Sequence, residues 1–509
     1  MSFDLDRSKV AMREADTEYG RVRGVPGNNP QFTVFKGIPY AAAMVGEKRW
    51  KMAEPHEKWE GVRDCVEFGA ASFQFMGGQP EDMKTDEDCL FLNIYTPAKS
   101  PDEKLPVLFF IPGGAFMGGA SNRPAYDGEG FNKRGVILVT INYRTGPLGM
   151  LCHREMLNEN PYGVCGNIYY LDQIFALKWV RRNIAGFGGD PDRITIMGHS
   201  SGAVGVTALA VSPLTKGDIC GCIIESGPVT LDIQFPDGDP HSSPFWMDKE
   251  EALRRGDAYM EALGCRTLDE MRKIPCEKLG EVYRKMPGSL CYFRGVIDGY
   301  TFPEDPVVMY ARGQHHDIAY MIGQAGDEGM GMTARTNVLT REGIAHYAEN
   351  FGDKAAEFVS YARNLTDAEI AFGLMDENAY RCRMFAETQL AKNMKPAYYY
   401  ATIRRAPGDD AGAYHGIEHW YVFQTLDRDW RPYAGSDYDL SDKMCTYWAN
   451  FVKNGDPNSP GLEAWTPYTA EKPEAMMFDV SPWMGVRKLQ KIQQFKLDYF
   501  TEKIREGKV

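Results

Sequence analysis

No stretch of the 509-residue chain comes near the ~18 consecutive apolar residues of a membrane-spanning helix. The longest apolar runs, Val107–Ile111 and Val136–Ile141, have the length of buried strands. The N-terminal segment Met1–Thr17 is polar and charged, without the apolar core of a secretory signal. The C-terminal residues Arg505–Val509 offer no hydrophobic tail or lipidation box. A cytoplasmic protein that does not use the membrane is the expectation. A cationic surface is missing too. The formal charge is -13, which repels phosphate backbones and argues against nucleic acid as a partner. Arg181-Arg182 and Arg404-Arg405 are pairs, not patches. The 11 cysteines contain no CxxC doublet; Cys220 and Cys222 make only a CxC. An odd, dispersed set suits buried thiols in a reducing compartment better than a disulfide framework. Internal repeats, low-complexity blocks and interdomain linkers are also lacking, so residues 1–509 are expected to fold as a single domain.

What is present is an alternation of strand and helix patterns between about residues 105 and 225. Strands are predicted at Val107–Ile111, Val136–Asn142, Arg193–Met197 and Gly221–Glu225. A helix is predicted over Leu171–Ile184, where Ile174, Leu177 and Val180 share a face. This β-α-β order implies an α/β fold, a parallel sheet covered by helices on both faces. Two later stretches read as helical insertions, roughly 245–290 and 340–395. The first opens on Asp248 with Glu251 three residues on and stops near Gly264. The second, from about Thr340 to Lys392, holds another capping box at Thr366 and Glu369.

One motif carries chemistry directly. The run Arg193–Met197 leads into Gly198-His199-Ser200-Ser201-Gly202 and then a helical segment through Ala210. Strand, GxSxG and helix in this order form a turn so tight that both flanking positions must be glycine. Ser200 is thereby raised above the sheet at a helix N-terminus, where developing negative charge is favoured. Upstream, the apolar strand before Pro112 runs into Gly113-Gly114-Ala115-Phe116. Backbone N–H groups of Gly114 and Ala115, with that of Ser201, would form an oxyanion hole.

In chains of this order the acid and then the histidine follow the serine. The predicted strand Ile318–Ile322 ends at Gly323-Gln324-Ala325-Gly326-Asp327-Glu328-Gly329, and spacing alone does not separate Asp327 from Glu328. Of the later histidines, His346 falls in a helical pattern. His415 lies in a glycine-rich loop, Gly408–Gly416. A rival reading takes His415, Glu418 and His419 as H-x-x-E-H, an inverted zinc motif of metallopeptidases, although Gly412 and Gly416 disfavour the helix it needs. A second rival is a non-catalytic binding protein on the same fold, from which the nucleophile would be dispensable.

With these residues placed, the chain resembles the type-B carboxylesterase and cholinesterase family of α/β-hydrolases, in its bacterial form. The resemblance runs from about residue 18 to residue 480. It rests on Phe35–Ala41, Glu87–Asn93, Asn142-Tyr143-Arg144-Thr145-Gly146, Gly166-Asn167, Asp172-Gln173, Trp179–Pro191, Glu225-Ser226-Gly227 and His415-Gly416-Ile417-Glu418. It implies that Glu328 is the acid, that His415 is the base and that Ser226 supports the triad from behind. It also exposes departures. The family has glutamate and alanine beside the nucleophile where this chain has His199 and Ser201. Pro112 replaces a histidine. Cys89 matches half of a family disulfide whose other half is Ser72 here. The segment from Ser72 to Cys89 has no tryptophan to stack on a quaternary ammonium. A serine carboxylesterase acting on small-molecule esters, with neither metal nor cofactor, is therefore expected in place of a choline esterase.

Overall fold

A computed structural model of the chain describes residues 10–76, 83–228, 230–231, 245–287, 292–328, 343–366, 369–370 and 377–508. Its main sheet has 11 strands. In chain order these are β1 (Val25–Pro26), β2 (Thr33–Pro39), β3 (Phe91–Thr96), β4 (Leu105–Ile111), β5 (Ile137–Ile141), β6 (Gly189–His199), β7 (Gly221–Glu225), β8 (Ala319–Ala325), β9 (Tyr398–Thr402), β10 (Ala475–Phe478) and β11 (Trp483–Gly485). Across the sheet the order is β11-β10-β9-β8-β7-β6-β4-β5-β3-β2-β1. From β5 to β10 all neighbours run parallel. The two margins are antiparallel. This is the α/β-hydrolase fold.

Strand β4 shows why its sequence is an unbroken apolar run. Phe109 pairs with Val139 on one side and Ile196 on the other. Val107, Phe109 and Ile111 enter one core with Trp179 and Val180, whereas Leu108 and Phe110 enter a second with Met197, Ile223 and Trp448. A strand buried on both faces cannot alternate polar with apolar residues. Each of these side chains contributes roughly 1.5–3 kcal/mol by leaving water. The helices on the two faces include α1 (Ile168–Asn183), α2 (Ser201–Val211) and α3 (Gly435–Asn454). A buried Arg144–Asp172 pair, with Nε to Oδ2 at 2.8 Å and Nη2 to Oδ1 at 2.6 Å, ties the chain after β5 to α1.

The predicted strands are all present, and several are longer than the apolar runs that marked them. The antiparallel margin of β1–β3 was not foreseen, because short, mixed strands carry little periodic signal. Asp248 does cap Lys249–Ala262, accepting the Glu251 N–H at 2.8 Å. The helical stretch predicted from Thr340 to Lys392 is not continuous. It holds Gly343–Ala348, Ala355–Ala362 and Glu377–Ala391, with a break at Gly352, whose φ of 58° is left-handed. Residues 340–342, 367–368 and 371–376 lie outside the described residues. The Thr366–Glu369 box forms, with Glu369 N–H on Thr366 Oγ1 at 3.2 Å. One cysteine pair departs from the free-thiol reading: Cys152 and Cys165 are bridged. The other eight described cysteines are in no disulfide, Cys89 among them. No helix of the described residues is long and apolar enough to cross a membrane.

Candidate active site

The carboxyl ends of β4, β6, β7 and β8 converge, and ligands in open α/β sheets bind at such an edge. Residue 200 follows β6 immediately. Ser200 has φ 56° and ψ -125°, a strained conformation for a residue with a side chain. The turn is held because its N–H donates to the Glu225 carbonyl at 2.9 Å and its carbonyl accepts from Val204 at 3.1 Å. The flanking glycines are sterically obligatory. A Cβ on Gly198 would run into the Gly202 carbonyl, and one on Gly202 into the Ile111 carbonyl. Gly227 is constrained likewise by the Ser200 carbonyl. That contact explains why Glu225-Ser226-Gly227 reads as a unit.

The loop after β4 is fitted against the elbow. A Cβ on Gly113 would strike the His199 carbonyl. Ala115 and Phe116 both take positive φ, 51° and 62°. The loop is pinned by Met117 and Gly118 N–H groups on the Gly114 carbonyl, both at 3.0 Å, and by Gly146 N–H on Phe116 O at 2.6 Å. The Gly114 N–H is already engaged: it donates to Ser201 Oγ at 3.0 Å. The sequence pointed only to the Ser201 backbone.

Glu328 is fully buried beyond the end of β8. Its Oε2 hydrogen-bonds His415 Nδ1, and its Oε1 accepts from the Ser226 hydroxyl and from Ala325 N–H, the last at 2.9 Å. Burial alone would raise this carboxyl, but the His415 imidazole, Ser226 and the Ala325 N–H hold it below its usual value. Burial would lower His415 in turn, yet the Glu328 charge and hydrogen bond, with help from Glu418, keep it above the usual 6.5. Asp327 has a different task. Its backbone N–H donates to the Ala413 carbonyl at 2.9 Å, and its Oδ2 accepts the Ala413 N–H at 2.8 Å. It thus fastens the loop that delivers His415, while its neighbour meets the imidazole. His346 is remote and exposed, 3.1 Å from Glu349.

The profile of the Carboxylesterase family matches residues 11–497. The chain belongs to the carboxylesterase family. It is 32% identical over 492 residues to the para-nitrobenzyl esterase of Bacillus subtilis (strain 168), covering 91% of this chain and 94% of that one. It is 32% identical to the phenmedipham hydrolase of Pseudarthrobacter oxydans, covering 87% and 91%. A solved PNB esterase structure superposes with a TM-score of 0.81 at 28% identity, over 95% of this chain and 99% of that one. This carboxylesterase is thus a hydrolase of carboxylic esters.

Behind Glu328 and His415 this carboxylesterase brings together polar residues that the sequence marked one by one but did not show to meet. The His199 ring lies 4.4 Å from both the His415 and the His419 rings. Gly416 lets it in, since a Cβ there would sit 3.2 Å from His199 Cε1. His419 Nε2 is 3.2 Å from Glu225 Oε2, and Glu225 Oε1 accepts from Trp448 Nε1 at 2.9 Å. Glu418 lies 3.4 Å from the Ser226 hydroxyl. Burial pushes the Glu225 and Glu418 carboxyls up and the His199 and His419 imidazoles down. Both kinds of group therefore favour their uncharged forms. The H-x-x-E-H reading fails on this geometry. His415 turns to Glu328 and His419 to Glu225, and the helix begins only at Glu418.

Proposed function

We propose that Ser200 is the nucleophile, His415 its general base and Glu328 the acid that orients the base. The Glu328–His415 hydrogen bond carries this reading, because a fully buried carboxylate spends its charge on one imidazole nitrogen. With Nδ1 engaged as donor, Nε2 is the basic nitrogen. It takes the Ser200 proton as Oγ attacks the ester carbonyl, and returns it to the departing alcohol. Water, deprotonated by the same nitrogen, then releases the acid from the acyl-serine. The N–H groups of Ala115 and Ser201 serve the tetrahedral oxyanion directly, whereas that of Gly114, expected to join them, donates to Ser201 Oγ. Ser226 holds the second oxygen of Glu328, and His199 packs on the face of the base.

Substrates are small carboxylic esters with an apolar or aryl portion. Phe116, next to Ala115, packs against Tyr169 and Phe245 with centroids 5.4 Å and 6.1 Å away. Its relatives' names, para-nitrobenzyl esterase and phenmedipham hydrolase, accord with an aromatic partner. We further propose one folding unit over residues 1–509 and a cytoplasmic site of action. The latter rests on buried Cys89, which is unbridged with Ser72 beside it, and has the Cys152–Cys165 bridge against it. An acyl-chain series of p-nitrophenyl esters, run with wild type and Ser200→Ala, tests the central reading. Loss of nearly all activity in the variant is expected. Equal rates would refute it.

A further inference from the structure

We infer that the Ser201 side-chain hydroxyl is itself a donor to the tetrahedral oxyanion, relaying the Gly114 N–H onto the reacting oxygen. This inference rests on the reading of Ser200 as nucleophile and deepens it.

The geometry begins with the Gly114 N–H, which donates to Ser201 Oγ at 3.0 Å. A hydroxyl has one proton to give and two lone pairs to accept with. Accepting from Gly114 leaves the Ser201 proton free to be aimed elsewhere, and polarises it in the direction of donation. The Gly114 N–H cannot simply turn away from Oγ. Its loop is fixed by two hydrogen bonds to the Gly114 carbonyl, and a Cβ on Gly114 would collide with the Gly118 carbonyl. Ser201 is also fixed, as the first residue of α2 and buried.

One neighbour competes for the proton. The Tyr169 hydroxyl donates to the Ser201 carbonyl at 3.0 Å and interacts with the Ser201 side chain as well. A neutral phenol is the weaker acceptor of the two. Hydrogen bonds to an ionised oxygen are about twice as strong as neutral ones. The hydroxyl therefore turns toward the oxygen as its charge develops, and back as the tetrahedral species collapses. The interaction exists only while that charge exists, so it lowers the barrier without tightening substrate binding.

Ser201→Ala keeps the backbone N–H and removes the hydroxyl; Ser201→Cys keeps most of the volume and weakens the donor. With p-nitrophenyl butyrate, kcat of Ser201→Ala should fall by roughly 10–100-fold. Loss of a full oxyanion donor costs about 10²–10³, and the freed Gly114 N–H recovers part of it. KM should stay within about twofold, and the Ki of an aryl trifluoromethyl ketone should rise by the same factor as kcat falls. Ser201→Cys should lie between, and carries the test if the alanine variant does not fold. End-point labelling by a fluorophosphonate should remain stoichiometric at Ser200 in both variants. Values of kcat and Ki within about twofold of wild type, or a kcat that rises when Gly114 is released, would overturn the inference. Failure of the wild-type protein to label at Ser200 would instead strike the underlying reading.

Discussion

Replacing Glu328 by glutamine keeps the shape of the side chain and removes its charge. The native carboxylate serves His415 on one oxygen, and Ser226 and the Ala325 N–H on the other. A glutamine amide cannot serve both sides. With its NH2 toward His415 it meets a donor, so the imidazole must change tautomer, and Nε2 then carries a proton and cannot accept one from Ser200. With its oxygen toward His415, the NH2 faces the Ala325 N–H, leaving a buried donor unpaired at a cost of about 1–3 kcal/mol. Either way the base is impaired, and kcat should fall by about 10³–10⁴. The pH profile adds a second sign. Activity needs neutral His415 and is lost as pH falls through its pKa. In the native protein Glu328 holds that pKa above 6.5 against burial. Without the charge burial prevails, and the acid limb should move to lower pH. The assay is kcat/KM for p-nitrophenyl acetate between about pH 5 and pH 9, the range over which an imidazole titrates. A fall in kcat below tenfold, or an acid limb at or above the wild-type position, would refute the reasoning.

Three further outcomes follow from other contacts. His199→Glu places a carboxyl group against the His415 and His419 rings. It should raise the base and move the acid limb upward; a limb that stays would show that position 199 has no electrostatic hold on the base. Gly202→Ala drives a methyl into the Ile111 carbonyl and lies 2.9 Å from the Pro112 carbonyl carbon. It should lose more than about 2 kcal/mol in urea unfolding and nearly all activity, whereas a native-like enzyme would contradict the steric account of the elbow. Asp172→Asn leaves buried Arg144 without its anion and should cost about 3–5 kcal/mol; a loss below about 1 kcal/mol would show that Arg144 finds other relief.

The turn that carries Ser200 was legible because it imposes glycine at fixed offsets, so backbone sterics wrote themselves into Gly198 and Gly202. The buried parallel strands were legible for a similar reason, since two-sided burial forbids polar residues. Asp327 and Glu328 were not separable from spacing. They are adjacent, and only the fold shows that one holds the Ala413 backbone while the other meets the imidazole. The grouping of His199, His419, Glu225 and Glu418 was not legible, because each sits in a separate short motif and its members arrive from β6, β7 and the helix at Glu418 and meet only in three dimensions. The contact between Gly114 and Ser201 was hidden likewise, its partners lying 87 positions apart. Gly352, which breaks the second insertion, is one residue whose left-handed φ no periodicity could foretell.

The elbow dictates three of its five residues and leaves two to choice. Gly198 and Gly202 admit no side chain, and Ser200 is the proposed nucleophile. The side chains at 199 and 201 diverge, one onto the His415 ring and the other onto the Gly114 N–H. They therefore reach opposite partners of the proposed reaction, the base on one side and the oxyanion loop on the other. A library confined to these two codons would sample the strength of the base and the affinity for the tetrahedral oxygen on separate axes, with the turn itself undisturbed.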